Sequence, residues 1–222
     1  MRTLTLSAAF LFATCCLHAQ ASEILEIQDY HASEAQVDKK GPWLGLQQMG
    51  RGWRLVATKP RFKNVPDPIS GAGVRVSTSL SNVRILLSDP GLKAGRVSLS
   101  DEMKLVSGSV DEEFELTTLP SLGQERIMHL QGSEYSLQNR EGKIYFRHEG
   151  REQYLFDHVE NQDGDNNGRL IWVGDLDRDG KLDFIVDASN EYNVTELHLY
   201  LSGQAAKGDL LKLVSKRKST GC

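Results

Sequence analysis

Cysteine is scarce in this chain, and its placement argues against a disulfide-stapled fold. The 222 residues contain three cysteines. Cys15 and Cys16 lie in an N-terminal segment that we expect to be removed, and Cys222 is the final residue. With one thiol left, we predict no internal disulfide. Cys222 then has two interpretations: an intermolecular disulfide in an oxidising compartment, or an inert tail.

Long apolar runs are also missing, apart from a short one near the start. A basic N-terminus precedes a mostly apolar stretch from Leu4 to Leu17, and Ala19-Gln20-Ala21 has the small-x-small pattern of a signal peptidase site. The stretch is shorter than the roughly 20 residues of a membrane span. We therefore predict a signal peptide over residues 1–21, cleaved after Ala21, and a periplasmic or secreted protein without a membrane span. The alternative is a buried N-terminal helix, although no capping residue is evident.

A strong charge of one sign is absent, and so are the common catalytic motifs. The chain has 26 basic and 30 acidic residues, a formal net charge of −4. This balance argues against a disordered chain and against a nucleic-acid-binding protein. The sequence contains no HExxH, no G-x-S-x-G and no phosphate-binding glycine loop. We predict a protein that is not an enzyme, with a hydrolase of unrecognised site as an alternative.

Helical periodicity is missing as well, and the pattern that replaces it is typical of strands. Short apolar runs alternate with Gly, Pro, Asn and Asp along the whole chain. The clearest meander has runs at 135–137, 144–146 and 153–156, joined by short loops that contain Gly142 and Gly150. We predict an all-β fold, mainly antiparallel hairpins in a sandwich or barrel-like arrangement. Little helix is expected beyond the signal peptide, with one short turn at 204–211 as a candidate.

Two features divide the predicted strands. Pro60, Pro66 and Pro68 suggest an irregular connection. A polar, turn-rich zone near residue 120 suggests an N-terminal β part over 22–120 and a C-terminal β part over 121–222. A single compact domain over 22–222 is equally compatible with this pattern.

The most informative segment is an acidic loop near the C-terminus. Carboxylates occupy loop positions 1, 3, 5 and 9, glycine occupies position 6, and position 7 can offer its backbone carbonyl. These residues are Asp175, Asp177, Asp179 and Asp183, with Gly180 and Lys181. Alternating side chains on a tightly curled loop converge, and hard cations such as Ca²⁺ take six to eight oxygen ligands. Glycine at position 6 permits the positive φ of a sharp turn.

Electrostatics favour an ion in this loop. Carboxylates about 4–5 Å apart repel one another by a few kcal/mol at an effective dielectric constant near 20. We expect Arg178 and Lys181 to point outward and to offset only part of this repulsion. Magnesium prefers a tighter octahedral shell, so we predict one Ca²⁺. The alternative is a metal-free turn that is rich in Asp because turns favour Asp and Gly.

The loop lacks the features of an EF-hand. Position 12, which would need a bidentate Glu, is Val186, and the flanks 170–173 and 182–186 are rich in apolar and β-branched residues, as strands are. The segment Gly174 to Val186 resembles the calcium loop of FG-GAP and VCBS-type repeats, as found in integrin α-subunit propellers. This resemblance implies calcium ligation by Asp175, Asp177, Asp179, Asp183 and the Lys181 carbonyl. Since the chain holds one copy, it does not imply a propeller.

A second polar stretch, Asp163 to Gly168, has oxygen side chains at positions 1, 3 and 5 but no closing acid. We interpret it as a turn, with a second cation site as the alternative.

The sequence leaves the biological role open. Our first hypothesis is a non-catalytic exported β protein with one structural calcium ion. The alternative is a calcium-dependent module of the cell envelope that binds cell-wall glycan or a partner protein. Trp43, Trp53 and Trp172 are candidates for a sugar-binding face, although core burial is the simpler expectation.

Overall fold

The computed structural model describes residues 21–38, 41–50, 52–105, 118–159 and 168–220. All regular structure in these ranges is β-strand, and the strands pair antiparallel, so the predicted all-β fold is confirmed. The candidate helical segment at 204–211 forms turns instead. No helix in the described ranges is long and apolar enough to cross a membrane. The predicted signal peptide up to Gln20 and Cys222 lie outside the described residues.

Seventeen strands are present in the described ranges. In chain order they are β1 (Glu23–Glu26), β2 (Asp29–His31), β3 (Trp43–Met49), β4 (Gly52–Thr58), β5 (Arg61–Val65), β6 (Gly73–Ser77), β7 (Val83–Ser88), β8 (Gly95–Leu99), β9 (Glu102–Leu105), β10 (Glu125–Leu130), β11 (Ser133–Arg140), β12 (Lys143–His148), β13 (Arg151–Asp157), β14 (Arg169–Asp175), β15 (Asp183–Asp187), β16 (Val194–Leu201) and β17 (Lys212–Thr220).

The largest sheet is barrel-like and nearly closed. Its nine strands follow the order β1-β7-β3-β4-β8-β14-β15-β16-β17, with five strands from before residue 120 and four from after it. The two end strands lie side by side, and Arg217 of β17 joins them. Its guanidinium donates to the Ile24 carbonyl at 2.7 Å and to a Glu23 carboxylate oxygen at 2.8 Å. A side chain, rather than a backbone ladder, thus bridges the seam.

The inside of this sheet is a hydrophobic core with members from eight of its nine strands. Apolar side chains alternate along each strand, so that one set points inward. The inner set consists of Ile24, Leu44, Leu46, Leu55, Ile85, Leu87, Leu92, Val97, Trp172, Leu176, Ile185, Leu197, Leu199 and Leu201. The outer face of β14 to β16 carries a second apolar set, which is why every residue of β15 is buried.

A five-stranded sheet in the order β13-β12-β11-β10-β9 covers that outer face. The predicted meander over 135–156 is confirmed, since β11, β12 and β13 pair through two tight hairpins. Its inward side chains pack on the barrel: the rings of Phe146 and Phe184 meet edge to face at 5.1 Å. The five-stranded sheet and the outer face of the barrel therefore share one hydrophobic core. β15 lies between this core and the core inside the barrel.

A three-stranded sheet in the order β2-β6-β5 covers another side of the barrel. Its core contains Tyr30 and Val76 with Leu25, Trp43 and Leu86 from the barrel strands. The irregular connection predicted around Pro60, Pro66 and Pro68 is confirmed in part. Pro66 and Pro68 lie in the irregular segment 66–72 between β5 and β6, but β5 itself lies between Pro60 and Pro66. β5 is an edge strand, where a proline at either end removes no ladder hydrogen bond.

Candidate metal centre

The acidic loop joins two adjacent strands, as the sequence predicts. β14 ends at Asp175 and β15 begins at Asp183, and Gly174 pairs with Asp183 across the hairpin. Two leucines anchor the loop, one to each core: Leu176 packs inside the barrel and Leu182 packs under the five-stranded sheet, and both are fully buried. The loop is therefore fixed at both ends by burial of apolar surface.

Three of the predicted ligands come together. Asp175, Asp177 and Asp183 each bring one carboxylate oxygen into a group whose members all lie within 4.8 Å of one another. Asp175 and Asp183 are buried, and Asp177 is half-buried. We call these three residues the acidic cluster. Oxygen ligands at this separation suit a hard divalent cation.

Asp179 and Lys181 lie beside the acidic cluster. The Asp179 carboxylate accepts the Ser202 hydroxyl at 3.0 Å and the Lys181 amide at 2.8 Å. Its own amide donates to the nearest carboxylate oxygens of Asp175 and Asp177, at 3.1 and 3.2 Å. Ligation by the Asp179 carboxylate and by the Lys181 carbonyl stays a prediction.

Backbone amides hold the three carboxylates in place. Asp175 accepts the Gly180 amide at 3.1 Å, and Asp183 accepts the amides of Leu176 and Asp177 at 2.6 and 3.1 Å. Such donors restrict the orientation of each carboxylate. Hydrogen bonds from the loop itself therefore orient the carboxylates of the acidic cluster without an ion.

The turn depends on two residues with positive φ. Gly180 has φ = 84°, which agrees with its predicted role at position 6, and Arg178 has φ = 66°. The Arg178 side chain leaves the cluster and donates to the Lys93 carbonyl at 3.3 Å. The Lys181 ammonium lies 3.7 Å from Asp179. Neither basic group is part of the cluster.

Two residues after β16 complete the site, and the sequence analysis missed both. The Ser202 hydroxyl and amide both donate to Oδ1 of Asp183 at 2.8 Å, and the Gly203 amide donates to Asp177 at 3.0 Å. A Cβ on Gly203 would lie 2.6 Å from an Asp177 carboxylate oxygen, so a larger residue does not fit without movement. The pairing of β15 with β16 brings this segment to the loop.

Burial perturbs the protonation of the cluster. It raises the pKa of Asp183 to about 8, with the Asp177 charge as the next contribution, while hydrogen bonds from Ser202 act in the opposite direction. Burial also raises the pKa of Asp175 and of Asp177, and the Asp179 charge adds to both. The cluster is thus electrostatically crowded, and a divalent cation would relieve the crowding.

The second polar stretch is described only at its end. Residues 163–167 lie outside the described residues, and Gly168 directly precedes β14. The acidic cluster follows the other end of β14. With a rise of roughly 3.3 Å per residue, the strand separates Gly168 from the acidic cluster by about 20 Å. The interpretation of this stretch as a turn stays a prediction.

Comparisons of the chain with protein-family models, curated proteins and solved structures give no match. The likeness of the loop to FG-GAP and VCBS-type repeats therefore stays a resemblance, carried by Gly174 to Val186.

Proposed function

We propose that the acidic cluster binds one Ca²⁺ ion and that the role of this ion is structural, in an exported, non-catalytic β protein. The observation that carries the proposal is the convergence of three carboxylate oxygens within 4.8 Å, two of them on buried residues. Carboxylates in this position repel one another unless they bind a proton or a cation.

The donor set favours calcium over other metals. All three converging ligands are carboxylates, and hard oxygen ligands suit Ca²⁺, Mg²⁺ or Mn²⁺ rather than Zn²⁺ or copper. Asp179 and the Lys181 carbonyl are close enough in sequence to extend the shell. Calcium tolerates a larger and less regular shell than magnesium, and an asymmetric loop is more easily matched to it.

The surroundings of the loop support a structural role. Leu176 belongs to the barrel core, Leu182 belongs to the core under the five-stranded sheet, and Ser202 follows β16. An ion bound by Asp175, Asp177 and Asp183 would therefore tie together both strands of the hairpin, between two hydrophobic cores. Ligand binding to the folded state alone adds about 2.7 kcal/mol of stability at a hundredfold excess over Kd.

The test is calorimetric titration of chelator-treated protein with CaCl₂, together with thermal unfolding in calcium and in EDTA. We expect one site per chain and a higher melting temperature in calcium, with a weaker response to equal MgCl₂. Asp177→Asn should weaken calcium binding at least about tenfold, because even supporting residues of metal sites have effects of this size.

The matched control is Asp209→Asn, which removes an exposed carboxylate from the loop between β16 and β17. This variant should bind calcium as the wild type does. Absence of calcium uptake at millimolar concentration, or equal loss in both variants, would overturn the proposal.

A further inference from the structure

A cavity of about 460 Å³ opens beside the first part of β14, the strand whose last residue begins the acidic loop. This volume lies within the range of small-molecule sites. Its lining comes from β1, β3, β4, β7 and β14, and includes Trp53 and Trp172. Trp43, the third tryptophan, lies in a different core. The fold therefore gathers two of the three tryptophans around one opening.

The opening exists because β14 separates from its neighbour. Among the described residues, β14 pairs with β8 through Gly174 and Asp175, and the Ser100 amide donates to the Val173 carbonyl at 2.9 Å just beyond them. β8 pairs with β4 along Trp53 to Leu55. Among the described residues, the other end of β14 has only an isolated bridge between Arg169 and Thr118 on the β8 side. The cavity lies in the gap between β4 and this end of β14.

Two β-bulges turn extra side chains toward the cavity. In β14, Leu170 pairs with Val186 and Trp172 pairs with Ile185, so Ile171 is the inserted residue. In β7, Ile85 pairs with Leu46 of β3 and Val83 pairs with Gln47, so Arg84 is the inserted residue. Both inserted residues line the cavity. Bulges are frequent at barrel rims and beside functional sites, where they redirect side chains.

Two of the polar side chains that line the cavity end in planar groups, an amide and a carboxyl, and lie near the aromatic rings. Gln48 is the direct cross-strand partner of Trp53, and Glu26 lies on the adjacent side of the opening. Trp172 is 3% exposed, and its indole N–H has no hydrogen-bond partner among the described residues. Because this nitrogen is itself buried, the part of Trp172 that faces the cavity is its ring and not its N–H group.

The charges at the opening cancel. Arg84, Arg169 and Glu26 line it, and the Asp187 carboxylate lies 3.8 Å from the Arg169 guanidinium. Two positive groups thus face two negative ones. Burial, followed by the Asp187 charge, raises the pKa of Glu26, and its carboxyl oxygens accept hydrogen bonds. This environment favours a neutral ligand with many hydroxyl groups over an ion.

We propose that this cavity binds a neutral saccharide unit, with Trp53 as the stacking surface and Gln48 and Glu26 as partners of the sugar hydroxyls. A sugar ring presents C–H groups on its faces, which pack on an aromatic ring, and hydroxyls around its edge, which match planar amide and carboxyl groups. The lining residues of β14, Arg169 to Trp172, precede Asp175 by six to three residues, or about 20 to 10 Å along the strand, so calcium is not a ligand to the sugar.

The three tryptophans provide the assay. Each indole N–H gives its own signal in a ¹H–¹⁵N correlation spectrum of the protein. We would titrate the protein with methyl glycosides of glucose, galactose, mannose and N-acetylglucosamine, and with disaccharides of the same sugars. At least one compound should shift the Trp53 and Trp172 signals saturably. The Trp43 signal should stay constant, because that indole donates to the Asp38 carbonyl at 3.3 Å in another core.

Variants then test the assigned contacts. Gln48→Ala should weaken binding roughly 3- to 10-fold, the effect of losing one or two neutral hydrogen bonds. Trp53→Ala should weaken it by more than about 10-fold through loss of the stacking surface. Gln138→Ala, on the five-stranded sheet, is the matched control and should bind as the wild type does. Since Gln48 is exposed, its removal should leave the fold intact, which the unchanged Trp43 signal would verify.

The outcomes separate this proposal from the calcium proposal. Sugar binding should persist in EDTA and in Asp177→Asn. The saccharide proposal is overturned if no compound shifts Trp53 and Trp172 at tens of millimolar, if all three tryptophans shift alike, or if Gln48→Ala binds as tightly as the wild type. It is also overturned if benzoate, an aromatic anion, saturates the site while the sugars do not.

Discussion

Calcium binding should release a proton near neutral pH, because Asp183 is both a member of the acidic cluster and a strongly perturbed acid. Its carboxylate is fully buried, and burial raises its pKa to about 8. Calcium requires the ionised form of its ligands. At pH 7, one unit below this pKa, about ten of eleven calcium-free molecules hold the proton. Binding at pH 7 should therefore expel nearly one proton.

The magnitude of the pH effect follows from the same pKa. Apparent calcium affinity should be about tenfold weaker at pH 7 and about a hundredfold weaker at pH 6 than at its plateau above pH 9. The raised pKa values of Asp175 and Asp177 steepen the loss at lower pH. The affinity should thus climb about tenfold per pH unit between pH 6 and pH 7.5.

The stability of the calcium-free protein should change in the opposite direction. The folded pKa of Asp183 lies above its ordinary value of 3.8, so the folded state binds this proton more tightly than the unfolded state. The resulting stabilisation is present below about pH 4 and is lost as pH rises toward 8. Four pKa units correspond to an upper limit on the order of 5 kcal/mol.

The assay is calorimetric titration at pH 7 in PIPES and in imidazole, two buffers with different ionisation enthalpies. The difference in heat gives the number of protons released, which should be close to one at pH 7 and close to zero above pH 9. Asp183→Asn removes the titrating group, and in EDTA it should flatten the pH dependence of melting between pH 5 and pH 8. Identical heats in both buffers, or a constant affinity from pH 6 to pH 8, would refute the reasoning.

Three further substitutions test the structure around the site and the seam. Gly203→Ala places a methyl group 2.6 Å from an Asp177 oxygen, so calcium affinity should fall about tenfold; titration of Gly52→Ala, where the nearest contact is 3.7 Å, should show no change. Arg217→Ala removes the seam contacts and should destabilise the fold by about 2–4 kcal/mol in urea unfolding, whereas Lys218→Ala, with a 51% exposed side chain, should cost less than about 1 kcal/mol. Leu182→Ala should destabilise by about 2–5 kcal/mol, while Leu213→Ala, 41% exposed, should have a much smaller effect, and equal losses would contradict the assigned cores.

The parts of the fold that the sequence predicts are local ones. The meander from β11 to β13 was predictable because each hairpin is closed by a glycine of positive φ, at Gly142 and Gly150. The acidic loop was predictable because its spacing, its central Gly180 and its strand-like flanks all lie within one short segment. In both cases neighbouring residues determine the local geometry.

The parts that were not predictable depend on long-range pairing. β14 joins β8 through two residue pairs that are separated by more than seventy positions, and no local pattern specifies this. Ser202 and Gly203 reach the acidic cluster only because β16 pairs with β15. Likewise, Arg217 is in the sequence one of three consecutive basic residues near the C-terminus. In the structure it is the residue that joins β17 to β1. Burial, not composition, distinguishes it from its neighbours.

The two proposed sites lie at opposite ends of one strand, and their different requirements explain this separation. A cation site needs carboxylates held close together, which the tight loop after Asp175 provides. A sugar site needs an open gap lined by aromatic rings, which arises where β14 leaves β8. Between them, a Cβ on Gly174 would lie 2.0 Å from the Ser98 carbonyl oxygen and 2.6 Å from the Trp172 ring, so strand and ring are in close contact there. An ion that fixes the loop would therefore hold the strand that carries Trp172, without contacting the ligand.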